Sequence, residues 1–214
     1  DVWFPAHINI GEILRVRETS PLRPSEIAIG FGKICDDCRS VQYSALARKA
    51  LDDAGYSDVA IVTTGKRDEK GINPGFKLGP RFQLSLLWGL SILDAMNDIL
   101  RRIRPYEAEP DTADAVYRKY SRLLTKAAAK RPAAMRRVFR GFVAACNTVP
   151  LCDGPRRDRV LVVGELLMNF KAEANLDVVR YLEDAGLEVC MPTAVDFLRR
   201  DVARVRHGFR SGFL

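Results

Sequence analysis

Histidine is nearly absent: the 214 residues hold two, His7 and His207. That excludes a His-rich metal site, and neither histidine sits with a serine and an aspartate in a convincing triad. Long apolar runs are also missing. None reaches the ~18–20 residues that a membrane span needs. The first residues do not read as a secretory leader, so the five cysteines are expected as reduced cytoplasmic thiols or ligands rather than a disulfide framework. The chain opens on Asp1 and closes soon after a helical pattern, as expected of a module from a longer polypeptide.

Hydrophobic residues make up 47% and charged residues 29%, an ordinary globular balance that argues against disorder. The length suits one domain or two small ones. Lys and Arg number 34 against 27 Asp and Glu, a formal charge of +7. The excess is local. Residues 101–140 carry twelve basic side chains and four acids, +8 in all, so the rest of the chain is slightly acidic. A solvated helical face accounts for such a cluster, as do the phosphates of a large cofactor or an acidic partner. No zinc-finger spacing, RNP-like aromatic motif or basic region followed by heptads accompanies it, so nucleic acid is not the expected partner.

Helical and strand-like patterns alternate along the chain. Residues 6–18 have apolar positions at helical spacing, and Glu26–Phe31 reads as a buried strand. Residues 39–54 form an amphipathic helix with Gly55 placed to cap it, and Asp58–Thr63 is the next strand. After a Gly-rich stretch to Pro80 come helices near 81–104, 111–130 and 133–146, with Pro132 at a favourable start position. Pro150–Asp158 is a polar linker. Arg159–Val163 and Leu187–Met191 read as strands, with a helix over 172–185 between them, ended by Gly186, and a further helix over 194–206. Strands that alternate with helices predict an α/β protein with parallel sheets and a helical insertion of roughly 70 residues in the middle. Ligands in such folds sit at strand–helix junctions beyond the carboxyl ends of the strands.

Cys35-Asp36-Asp37-Cys38 lies at one such junction. A redox pair fits the strand–CxxC–helix context, but two intervening aspartates raise thiol pKa values, the wrong direction for a fast nucleophile. Structural zinc wants four ligands, and Cys146, Cys152 and Cys190 are isolated. An iron–sulfur cluster is the third reading, with Cys38 at a helix start and Arg39 beside it as charge partner. Plain buried thiols are the fourth. Gly30-Phe31-Gly32 lacks the third glycine of a dinucleotide fingerprint. Gly164-Glu165 follows the clearest strand, where glycine permits close backbone approach and a glutamate suits a helix start; an ordinary turn with a capping acid is the alternative.

Several segments, taken in order, resemble the 2-hydroxyacyl-CoA dehydratase and benzoyl-CoA reductase component family, in its acyl-CoA dehydratase activase-related branch. They are Asp1 to Ala6, Cys38-Arg39 through Tyr56, Asn73-Pro74-Gly75-Phe76-Lys77-Leu78, Arg104-Pro105-Tyr106-Glu107 with Glu109-Pro110, and Val162-Val163-Gly164-Glu165 with Phe170 to Asn175. The resemblance implies two Rossmann-like parallel-sheet units, at 1–80 and 149–214, with the helical insertion at 81–148 between them. It implies a 4Fe–4S cluster with Cys38 as ligand, Cys35 as a second candidate, and a cleft shaped by Arg39, Asn73, Gly75, Lys77, Gly164 and Glu165. The implied partners are the ATP-binding activase domain or a dehydratase subunit, and acyl-CoA. The implied role is an electron-transfer component rather than a complete enzyme. Trp3 stands at a position where the family has a cysteine, and tryptophan cannot ligate iron; the alternative expectation is therefore a cluster-free scaffold or docking domain.

Overall fold

The computed structural model describes residues 4–31, 42–63, 79–129, 132–196 and 199. The chain divides into two compact units, Asp1–Gly79 and Pro80–Leu214. Both are α/β, and among the described residues each contains one small parallel sheet of two strands.

In the first unit, α1 (Phe4–Thr19) leads through a short 3-10 turn to β1 (Ala28–Phe31), then α2 (Tyr43–Asp53) and β2 (Ala60–Thr63). The strands pair in parallel, Ala28 opposite Ala60 through Phe31 opposite Thr63. The core is Ala47 and Leu51 of α2 against Val59 and Ile61, with Ile13 and Leu14 of α1 packed on it. Helix α2 ends where the sequence predicts. Gly55 is left-handed at φ 81°. Its N–H and that of Tyr56 donate to the carbonyls of Asp52 and Leu51 at 3.0 and 2.7 Å. Two otherwise orphaned helix carbonyls are satisfied in this way, and the chain turns straight toward β2.

The second unit begins with three helices, α3 (Pro80–Ile103), α4 (Thr112–Ala128) and α5 (Pro132–Cys146). Ile92 and Met96 of α3, Leu124 and Ala127 of α4, and Met135, Phe142 and Cys146 of α5 make one buried cluster. The spacings of three, four and seven between these positions are those of one helical face. Tyr117 and Tyr120 each meet the Phe142 ring in a T-shaped pair, with centroids 6.5 and 5.9 Å away. Gly141 permits the second approach, since a Cβ there would lie 3.0 Å from Tyr120 Cε1.

The chain then forms β3 (Arg159–Leu161), three short helices, α6 (Leu166–Phe170), α7 (Ala172–Asn175) and α8 (Val178–Asp184), and β4 (Glu188–Cys190). Strands β3 and β4 are parallel, Arg159 opposite Glu188. The single helix expected over 172–185 is broken. Leu176 and Asp177 are both left-handed, at φ 57° and 51°, and Asn175 Oδ1 accepts from Val178 N at 3.3 Å to start α8. Asparagine and aspartate tolerate such local turns, so the break falls where polar side chains can serve the freed backbone. Strand β3 is shorter than the expected Arg159–Val163. Residues 194–196 are helical, and most of the helix expected over 194–206 lies outside the described residues. No described helix is long and apolar enough to cross a membrane.

Candidate functional site

The densest polar arrangement lies in the second unit, around Arg104-Pro105-Tyr106-Glu107. These residues form the turn between α3 and α4, and each has a separate attachment. Arg104 donates from Nε and Nη2 to the two carboxylate oxygens of Glu183 on α8, at 2.6 and 2.9 Å. Its Nη1 reaches Asp114 of α4 at 3.2 Å, and Asp114 also accepts from Arg180. Burial alone would lower the Arg104 guanidinium pKa. The hydrogen bonds and charges of Glu183 and Asp114 outweigh it and hold the group above the ordinary arginine value.

Pro105 is buried. Tyr106 donates its hydroxyl to Glu188 Oε2 at 2.9 Å and accepts from Arg157 N at 3.1 Å. The Arg157 guanidinium lies 5.7 Å from the Tyr106 ring centroid. Glu107 caps the start of α4, accepting from Asp111 N and Ala113 N at 3.0 and 2.8 Å. That support accompanies a left-handed Asp111, at φ 66°. The backbone is tied as well: Cys152 N donates to Tyr106 O at 2.7 Å and Ala108 N to Pro150 O at 2.9 Å. The motif thus clamps the helices to the returning linker and to the second sheet. Asp94 of α3 adds a further tie, accepting from Ala194 N and Val195 N at 3.1 and 2.9 Å.

Beside this clamp lies a cavity of about 160 Å³ lined by Arg102, Tyr106, Arg156, Arg159 and Glu188. In the first unit a larger cavity of about 440 Å³ separates α1 from β1, with Ile13, Val16, Ile27, Ile29 and Phe31 in its lining.

Of the residues singled out in the sequence, Gly164 and Glu165 are described. Glu165 Oε2 accepts from Leu167 N at 2.8 Å as the cap of α6, and Gly164 O accepts from Asn169 Nδ2 at 3.1 Å. Both are exposed. Cys35, Cys38, Arg39, Asn73, Gly75 and Lys77 lie outside the described residues. The described cysteines do not converge on one another. Cys146 is in the helical core, where burial pushes its thiol up to about 11. Cys152 is exposed, and Cys190 Sγ accepts from Arg159 Nη2 at 3.0 Å. Among the described residues no group of three or more His, Cys, Asp or Glu could hold a metal ion.

The arginine-lined cavity is what sequence reasoning missed. Its signal is Arg156-Arg157-Asp158-Arg159, a basic run that spans the end of the segment read as a polar linker and the first residue of the strand after it. No family model, curated protein or solved structure matches this chain.

Proposed function

We propose that the chain is a module of an acyl-CoA dehydratase activase-type protein of anaerobic acyl-CoA metabolism, working in the cytoplasm. In this reading the two parallel-strand pairs belong to Rossmann-like units, and α3–α5 are an insertion between them. The protein partner is the ATP-binding activase domain or a dehydratase subunit, and acyl-CoA is the ligand. An iron–sulfur electron-transfer role rests on Cys38, with Cys35 as the second thiolate. The observation that carries the reading is the Arg104–Glu107 segment, one of the motifs on which the resemblance stands. Each of its side chains has a separate structural attachment, or in the case of Pro105 a buried site, which accounts for the four residues occurring together as a unit.

The test is anaerobic reconstitution with iron and sulfide, followed by iron analysis and visible absorption. Stoichiometric iron with a broad thiolate-to-iron absorption, lost in Cys38→Ala, is the expected result. A colourless, iron-free protein sinks the electron-transfer role.

A second reading, a cluster-free scaffold that docks a partner protein, has its own observation. Phe82, Leu84, Leu86, Leu87 and Trp88 in the first half of α3 are 42–53% exposed, an apolar concentration large for a helix facing water. Iron-free capture of the ATP-binding activase domain, weakened by Leu84→Asp, supports it; no capture by the intact chain removes it.

A further inference from the structure

The cavity beside the clamp is lined by three guanidiniums from three separate parts of the second unit. Arg102 comes from the last turn of α3, Arg156 from the linker, and Arg159 from the first position of β3. One carboxylate, Glu188, shares the lining. Its charge is already committed: one oxygen accepts from Tyr106 at 2.9 Å and the other from Arg159 Nε at 3.0 Å. Arg102 is paired with Asp98 at 2.8 Å, in a contact that is exposed on both sides and so weakly held. Arg156 is exposed and has no ion pair among the described residues. Three cations thus face one satisfied anion in a small concave space.

With Asp98 counted against Arg102 and Glu188 against Arg159, the charge in excess is that of Arg156, which suits an anionic group. A guanidinium presents donors that fit the oxygens of a tetrahedral phosphate; Arg156 has its whole fork to offer, while Arg102 and Arg159 keep part of theirs beside the bonds to Asp98, Glu188 and Cys190. The glutamate's part is to position Arg159. From the convergence of Arg102, Arg156 and Arg159 on this cavity, we propose that it binds a phosphate group, either free or as the monoester end of a small ligand. A nucleic-acid strand is a poor match, because the outward cations of α4 and α5 (Arg118, Lys119, Arg122, Arg136, Arg137 and Arg140) are not part of the lining. The inference does not depend on the family proposed above.

The experiment is calorimetric titration of the full chain, in low-salt buffer free of phosphate, with inorganic phosphate and separately with adenosine monophosphate. Saturable one-site binding in at least one arm is expected, and the tighter arm says whether the phosphate is free or ester-borne. Arg156→Ala, at an exposed site without a partner to orphan, should fold normally. It should weaken binding roughly tenfold or more, the loss of a hydrogen bond to a charged group. Arg140→Ala removes the same charge from α5, outside the cavity, and should leave the affinity within about twofold, since a separated exposed charge is screened. Absence of saturable binding in both arms overturns the proposal. So does an equal loss in Arg156→Ala and Arg140→Ala, which would mean diffuse attraction to a basic protein.

Discussion

The same short signature closes a helix in each unit. Leu51-Asp52-Asp53-Ala54-Gly55 ends α2, and Leu182-Glu183-Asp184-Ala185-Gly186 ends α8. Locally the two are alike. Gly186 is left-handed at φ 89°, as Gly55 is at 81°. Gly186 N and Leu187 N return to the carbonyls of Glu183 and Leu182 at 2.9 and 3.1 Å, repeating the bonds at Gly55 and Tyr56. Both turns lead directly into the second strand of a parallel pair.

The acids after the leucine diverge. Asp52 pairs at 2.7 Å with Arg48, one turn back on its own helix, with its side chain 46% exposed. The Glu183 side chain is 5% exposed and holds Arg104, 79 residues away in sequence. The arginine serving the turn differs too. In the first unit it is Arg48 of the helix itself, donating to Val59 O and Tyr56 O at 2.6 and 3.2 Å. In the second it is Arg157 of the linker, reaching Glu183 O at 3.3 Å. One local code ends both helices, and tertiary context decides whether the neighbouring acid is a surface charge or the anchor of a clamp.

The largest effect is therefore expected at the clamp. Arg104→Met leaves Glu183 buried without its cation, while Asp114 keeps Arg180. A loss of about 3 kcal/mol in denaturant unfolding follows from the cost of orphaning a buried charge. Adding Glu183→Leu should recover much of that loss, because removing both members of a buried pair is far less costly than removing one. A double variant as unstable as the single one would mean that Arg104 acts through packing instead.

Tyr106→Phe comes next. It removes the donor to Glu188 and the acceptor for Arg157 N while keeping the ring, and about 1–3 kcal/mol is expected. A crystal structure of the variant with Glu188 still seated and no loss of stability would break the argument that Tyr106 ties the helices to β4.

Gly55→Ala and Gly186→Ala test the shared part of the two units. Neither glycine has a heavy atom within 4 Å of where a Cβ would go. The cost is then conformational alone, about 1–2 kcal/mol for a left-handed alanine. The two variants should lose equal amounts, read from the unfolding transition of the unit each belongs to. A much larger loss at Gly186 would show that the clamp depends on the cap beneath it.

The alternation of helices and strands, the two glycine caps and the parallel pairing all follow from periodicity and turn chemistry, which act within a few residues of chain. The positions of α3, α4 and α5 were legible for the same reason, but the apolar start of α3 reads as a centrally packed stretch and Leu84, Leu86, Leu87 and Trp88 are instead exposed. The Leu176–Asp177 break was not, because the run from Ala172 to Asp184 keeps a helical apolar pattern across it. Arg104 and Tyr106 could be marked only as members of a motif, since their partners lie about 80 residues on. The cavity was hidden for the same cause: Arg102, Arg156 and Arg159 meet only after β3 has paired with β4. For the metal reading, the sequence supplies Cys35 and Cys38, which lie outside the described residues.

The smallest effect is expected at Asp52, the surface counterpart of Glu183. The hydrogen bond from Arg48 is the main cause that lowers its carboxyl below the usual 3.8. A depressed acid contributes stability above its unfolded pKa, and that contribution disappears as pH falls through the folded value. Asp52 is exposed, so screening and side-chain entropy leave the pair little net effect. Asp52→Asn should therefore share its parent's unfolding midpoint at neutral pH. The two should also show overlapping acid-unfolding curves, because the little that the pair contributes is lost as pH falls below 3.8. A clear loss at pH 7 would place Asp52 with Glu183 as a structural anchor, and the contrast between the two helix ends would be gone.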